Sequence, residues 1–440
     1  MQKQIAKPFI LLAATTIFML VAIINGYGLV TSDTGSYIKY AFDFQVPADR
    51  SPFYGIFVGI ASVWCSLWLA LFIQCLLLVW IWYELLHLLY SKTSPLIYLA
   101  TVVGITLLTP ASWVASFIMP DVFSAAMLLA ILCYMLSAHR HGLYLCFIAT
   151  CVLMHNSHFL ILPLFAVLVW LVSKPYRNKA ANLLLLSVGL FTTMCGINYA
   201  KGFRFKLSAG SHVFMMGKLS ETGILKTYLN DNCDKKSYAL CNYKDELPPN
   251  AWDFLWDETG PLYKTGGWDS SRAEYNAIIK DVFTTPRYAA MFAGAAITGT
   301  AQQLTRNNIT VDPLPANAIA GQMIARHYPK ELNAYSRSMQ TTGAIKTANF
   351  NYGYLLVFVL SSVLILHHRK RIYTPNIKFL YLFTLLFILC NVFVTATFAN
   401  VLDRLQLRVS WVLPAINCAL LIHYYLAHRK AKNQHVDTQI

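Results

Sequence analysis

The chain has 440 residues, of which 57% are hydrophobic and 12% charged, and a formal net charge of +15 at pH 7. A soluble domain carries about 25% charged residues, so a deficit spread along most of the chain excludes an ordinary soluble core and points to a bilayer. A basic chain suggests a nucleic-acid partner, but the placement of the charges argues against one. Its cations cluster at the ends of apolar runs, at Lys3 and Lys7, His139-Arg140-His141, Lys174 to Lys179, His367 to Arg371 and His428 to Lys432, as the positive-inside rule expects.

A transmembrane helix needs roughly 20 mostly apolar residues. Two lysines precede the first apolar run, about Pro8 to Val30, which is too long for a signal-peptide core and reads as a first span leaving the cytoplasm. Thr31 to Ser51 is an outer loop with Asp33, Asp43, Asp49 and Arg50. The next apolar stretch divides into an interfacial helix, about Pro52 to Trp64, and a second span, about Cys65 to Tyr90. A third span, Pro95 to Thr109, an outer turn, Pro110 to Pro120, and a fourth span, Asp121 to Ala138, follow. Gly142 to Ser173 has basic flanks at both ends. Two short spans meeting at Met154-His155-Asn156-Ser157-His158 satisfy the charge rule, and broken helices of this kind surround buried sites in membrane proteins.

A seventh span, Ala181 to Tyr199, leads to a hydrophilic region from Lys201 to Asn349. Within it, Pro286 to Thr305 reads as an interfacial helix. Spans at Phe350 to Leu366, Phe379 to Ala399 and Val409 to Ala427 complete an all-α polytopic membrane protein of about ten transmembrane helices. The expected organisation is an N-terminal membrane module (1–200, with an outer catalytic loop at 31–64), a mainly helical or irregular extracytoplasmic region (201–349) and a C-terminal membrane module (350–440). This threading puts both termini and all the clusters named above in the cytoplasm, and 201–349 outside, in a bacterial inner membrane the periplasm. Eight of the ten cysteines lie in apolar segments and read as packing residues. Cys233 and Cys241 lie in the outer polar region, where a disulfide persists.

Charges near hydrocarbon are expensive and are functional candidates by default. Asp33, Asp49, Arg50, Asp121, His155, His158, Asp403, Arg404 and Arg408 all fall at outer span ends, whereas Glu84 lies near a cytoplasmic end and reads as interfacial. Asp33 and Asp121 each have two readings, a helix N-cap or a working carboxylate. Arg404 and Arg408, spaced i, i+4, share a helix face and suit either lipid headgroups or a bidentate phosphate contact. His155 and His158 flank the polar break and suit a phosphate or the catalytic acid. Metal ligation there lacks a specified carboxylate partner. Trp252, Phe254, Trp256, Tyr263 and Trp268 suit either sugar faces or the packing of a small domain.

Four segments carry a resemblance: Ser-Asp-Thr-Gly-Ser-Tyr around Asp33, Asp-Arg-Ser-Pro-Phe-Tyr-Gly from Asp49, Met-Pro-Asp from Met119, and Arg-Leu-Gln-Leu-Arg-Val-Ser-Trp-Val-Leu-Pro from Arg404. Together the arrangement resembles the GT-C superfamily of membrane glycosyltransferases, over roughly residues 1–200 and 350–440. The resemblance implies a polyprenyl-phosphate-linked sugar as donor, a lipid, glycan or protein acceptor, and inverting transfer at the outer membrane surface. It makes Asp33 the base on the acceptor hydroxyl and gives Asp121 a second acidic position. Arg404 or Arg408 takes the donor phosphate, with Arg50, His155 and His158 as further candidates, and Trp252, Trp256 and Trp268 are left for the acceptor or sugar. No cofactor is implied with certainty, and a divalent metal stays open because such enzymes differ. The competing readings are a lipid or glycan transporter or flippase, a membrane acyltransferase using His155 or His158, and a non-enzymatic assembly protein.

Overall fold

The computed structural model describes residues 2–44, 49–90 and 94–437, with side chains over 7–44, 49–90 and 94–426. Lys3 and the cluster His428 to Lys432 therefore lie outside the described side chains. Among the described residues the regular structure is helical, and one isolated parallel bridge joins Leu29 to Phe117.

In chain order the first helices are α1 (Gln2–Phe18), α2 (Leu20–Asn25), α3 (Thr34–Asp43), α4 (Phe53–Ser62), α5 (Leu67–Tyr90), α6 (Pro95–Leu108), α7 (Ala111–Ser116), α8 (Val122–Leu136), α9 (His141–Met154), α10 (His158–Val172) and α11 (Arg177–Ala200). Their ends follow local chemistry. Gly26 stops α2 at φ 81°, a conformation open to glycine at no steric cost. Ser94 caps α6 by accepting from Ile97 N, with Pro95 in the first turn where its missing N–H costs nothing. The polar region after α11 comprises α12 (Ser211–Glu221), α13 (Ile224–Asn232), α14 (Ala251–Trp256), α15 (Pro261–Lys264), α16 (Gly267–Ser270), α17 (Arg272–Thr284), α18 (Pro286–Thr305), α19 (Ile319–His327) and α20 (Leu332–Ser336). The chain ends in α21 (Ala348–His367), α22 (Arg369–Ile372), α23 (Pro375–Phe398), α24 (Asp403–Ser410) and α25 (Val412–Asp437).

Five stretches are long and apolar enough to cross a membrane: α5, α11 with its preceding turn, α21, α23, and α24 continued into α25. The count of ten is not reached on helix length. The helices at Pro95–Leu108, Val122–Leu136, His141–Met154 and His158–Val172 are each shorter than 18 residues, below the roughly 20 a straight crossing needs. The expected break between α9 and α10 is present at 155–157. α8 is buried along nearly its whole surface, as an all-round apolar helix must be. Glu84 is also buried: Lys7 Nζ and Arg140 Nη1 each lie 3.1 Å from its carboxylate, and Tyr144 Oη donates to it. It clasps α1, α5 and the start of α9, and its two cationic partners, Lys7 and Arg140, stay exposed.

The polar region after α11 holds a second apolar core, with Val213, Met216, Leu225, Tyr228, Phe254, Leu262, Tyr275 and Ile278 at its centre. Cys233 and Cys241 form a disulfide with Cα atoms 5.7 Å apart across a separation of eight residues. Closing so short a loop removes roughly 2–3 kcal/mol of denatured-state freedom. Cys233→Ser/Cys241→Ser should destabilise this module by about that amount, read as faster hydrogen exchange in α13 while exchange in α5 and α8 stays unchanged.

Asp281 ties α17 to the end of α13, accepting from Lys236 Nζ and, at 2.7 Å, from Tyr228 Oη. The Lys236 contact, then Tyr228, hold the Asp281 carboxyl below its usual range. Its contribution is therefore complete above the unfolded carboxylate value and fades as pH falls through the folded one. Because Lys236 and Asp281 are each about a third exposed, that loss should stay under about 1 kcal/mol. Acid titration of the module's unfolding should show it, and Asp281→Asn should flatten the curve below about pH 4.

A strap from 306 to 347 returns over the segment after α2 and the start of α5. Gln340 exchanges hydrogen bonds with the backbone of Val30 and also donates to the Asp312 carbonyl. Glu331 accepts from Tyr27 Oη and Ser66 Oγ, both at 2.6 Å. These bonds fix the strap above the segment that carries Asp33.

Candidate functional site

Asp33 and Asp121 are brought together by the backbone. Leu29 N donates to Ser116 O and Ile118 N donates to Leu29 O, both at 2.8 Å, so the segments running into the two aspartates lie side by side. Gln74 on α5 supports the joint, donating to the carbonyls of Ala115 and Phe117. Both aspartates stand at helix N-cap positions, yet neither carboxylate makes a capping hydrogen bond. Each is spent on arginine instead, which removes the capping reading for both.

The result is an alternating ladder of three carboxylates and three guanidiniums. Asp49 holds Arg50 at 2.5 Å, and Arg50 Nη1 lies 3.2 Å from Asp33 Oδ1. Arg404 places Nη1 and Nη2 each 3.3 Å from Asp33 Oδ2 and Nε 3.6 Å from Asp121 Oδ2. Arg408 Nη1 lies 3.4 Å from Asp121 Oδ1. Arg404 and Arg408 thus do share one face of α24. Burial pushes the Arg50 guanidinium down, but Asp33, Tyr37 and Asp49 outweigh it and hold the group above its usual value.

The ladder runs from wet to dry. The Asp33 and Arg404 side chains are 27% and 33% exposed, whereas Asp121 and Arg408 are 4% and 0% exposed. Full burial removes the headgroup-anchor reading for Arg408. Asn391 Oδ1 takes bonds from Arg408 Nε and Nη2 at 3.1 and 2.8 Å, and Ser157 Oγ takes one from Nη2 at 2.9 Å. Asp121 Oδ2 is buried with no hydrogen-bond partner among the described residues.

His155 stands 3.5 Å from Arg408 Nη1, its Nδ1 turned to Ser157. His158 is engaged at both ring nitrogens, by Ser124 Oγ and by the Cys151 carbonyl, each at 2.7 Å. It is fully buried, and its place is in holding the α9–α10 break, not in facing a ligand. That break also sets the outer loop, since Ser51 Oγ donates to Leu153 O and Asn156 Nδ2 to Asp49 O.

Asp33, Asp121, Arg404 and Arg408 line a cavity of about 520 Å³. Asp403 and the strap residues Asn308, Thr310 and Asp312 form part of its polar wall, and Trp252 reaches it from the outer module. Trp256 and Trp268 do not line it. Trp256 packs between Trp252 and Trp268, at 6.1 and 5.6 Å, and Trp268 abuts Phe214, so one ring of the cluster reaches the cavity and the others back it. Among the described residues no three His, Cys, Asp or Glu side chains gather as a metal-binding group.

The sequence reading missed Asn391, Ser124 and the strap's contribution. Asn391 is a lone amide inside an otherwise apolar run, which is a readable signal for a buried polar contact. Asn308 and Asp312 lie in a polar loop and carry no such signal.

No family profile, characterised protein or solved structure matches this chain.

Proposed function

We propose that the chain is a membrane glycosyltransferase resembling the GT-C superfamily, which moves a sugar from a polyprenyl-phosphate donor to an acceptor hydroxyl. The observation that carries this reading is the meeting of Asp33, Asp121 and Arg404, from far-apart stretches of chain, on one cavity wall. The acceptor oxygen attacks the anomeric carbon, the bond from that carbon to the phosphate oxygen breaks, Asp33 takes the hydroxyl proton, and polyprenyl phosphate leaves.

Arg404 is the exchangeable cation, because it is part exposed and its contacts to Asp33 are at the long end for charge-assisted bonds. A donor phosphate competing for Arg404 would loosen its hold on Asp33 while gaining charge stabilisation for the leaving group. Asp121, itself held by Arg408, keeps Arg404 in place, Arg50 and Asp49 hold the other side of Asp33, and Trp252 offers a ring to the sugar or acceptor. About ten crossings, both termini in the cytoplasm and 201–349 on the outer side complete the proposal. The charge rule supports this threading, with the shorter helices packed among the long ones.

The test is transfer from radiolabelled polyprenyl-phosphate sugars by purified protein, comparing wild type with Arg404→Ala. Arg404→Ala should weaken donor binding and turnover together, with kcat/KM down by roughly a hundredfold or more. Absence of transfer to every lipid, glycan and protein acceptor tried would remove the reading.

A further inference from the structure

The cations at the Ala200 end of α11, like the arginines of the ladder, depart from the positive-inside pattern. Lys201, Arg204 and Lys206 follow the span at once, at the end opposite the basic turn Lys174 to Lys179. The loop that carries them is folded, not trailing. Phe203 N returns to Asn198 O, and the buried Asn198 side chain donates to the carbonyls of Lys206 and Leu207 at 2.8 and 2.9 Å.

Among the described residues no carboxylate lies within ion-pair distance of these three. Burial, then Arg272 and Arg204, lower the Lys206 ammonium below its usual value, so the loop concentrates like charge. A helix C-terminus favours cations by itself, but that does not account for the exposed rings beside them. Tyr199 is 67% and Phe205 58% exposed. They continue the open apolar face of α11 that includes Leu185, Val188 and Phe191. Exposed rings at the end of an apolar helix, with cations beside them, match the interfacial edge of a bilayer.

We propose that the Lys201–Leu207 loop is a binding site for the headgroups of anionic phospholipids in the leaflet at the Ala200 end of α11. None of these residues lines the cavity that holds Asp33, so a bulk lipid fits this site better than a substrate phosphate. The proposal rests on α11 crossing the membrane, not on sugar transfer.

Full-length protein in zwitterionic detergent is titrated with phosphatidylglycerol and with phosphatidylcholine, and retained lipid is counted by native mass spectrometry. Wild type should prefer phosphatidylglycerol, and added salt should erode the preference. The triple variant Lys201→Gln/Arg204→Gln/Lys206→Gln should lower the ratio of the two lipids by at least roughly tenfold, since each surface cation contributes about fivefold. The charge-keeping variant Lys201→Arg/Arg204→Lys/Lys206→Arg should retain it. No preference in wild type, or an unchanged ratio in the triple variant, overturns the proposal. If the triple variant does not fold, Lys201→Gln and Arg204→Gln singly decide, each expected to lower the ratio by about fivefold and an unchanged ratio in both overturning the proposal.

Discussion

Asp33→Asn is expected to lower kcat for sugar transfer by roughly a hundredfold to ten-thousandfold, the range a positioned base contributes, while leaving the protein folded and the donor bound. The amide keeps the shape of the carboxylate, so the cavity wall is unchanged. What disappears is the acceptor for the hydroxyl proton. Donor affinity carries the sign that separates a base from a purely structural carboxylate. Asp33 and a donor phosphate compete for the Nη atoms of Arg404, so neutralising Asp33 should tighten donor binding or leave it alone. A structural role predicts the reverse, with weaker binding and a melted loop. If the variant turns over at more than about a tenth of the wild-type rate, Asp33 is not the base. The acyl-transfer reading through His155 predicts little change from this substitution.

How much of this could be read from the sequence depends on the kind of residue. Charges in apolar surroundings announce themselves, so Asp33, Asp121, Arg404 and Arg408 were legible as candidates, and the i, i+4 spacing of the arginines put them on one helix face. Which carboxylate meets which arginine was not legible, because the Leu29–Phe117 bridge that aligns the two aspartates is a backbone contact between distant segments. The break between α9 and α10 was legible from charge, through the basic flanks of 142–173. The roles of its two histidines were not: His155 faces Arg408 and His158 is closed off by Ser124 and Cys151. Three tryptophans in one polar region look alike in the sequence, and only the folded chain shows that Trp252 lines the cavity while Trp256 and Trp268 do not. Hydropathy marks apolar runs but not whether a 14- or 15-residue helix crosses a bilayer or is surrounded by protein, which is why α8 and α9 read as spans in the sequence although neither reaches 18 residues.

The wet-to-dry gradient of the ladder makes its largest stability prediction at Arg408. Arg408→Ala should cost about 3–5 kcal/mol, because removing one member of a buried pair leaves the other charge uncompensated. The loss reaches past the ion pair: Asn391 Oδ1 gives up two donors and Ser157 Oγ one. Arg404 remains near Asp121, but at 3.6 Å from an oxygen that already lacks a hydrogen-bond partner, so it replaces little. Arg404→Ala, at the exposed end, should cost no more than about 1 kcal/mol while carrying the larger loss of activity. Denaturant unfolding in mixed micelles measures both. The double variant Asp121→Asn/Arg408→Ala should recover part of the Arg408 loss, with a coupling of about 0.5–3 kcal/mol expected for residues in contact. Equal costs for the two arginines, or no coupling to Asp121, would mean that burial does not divide the ladder into a holding end and a working end. The assignment of the phosphate to Arg404 would then lose its physical basis.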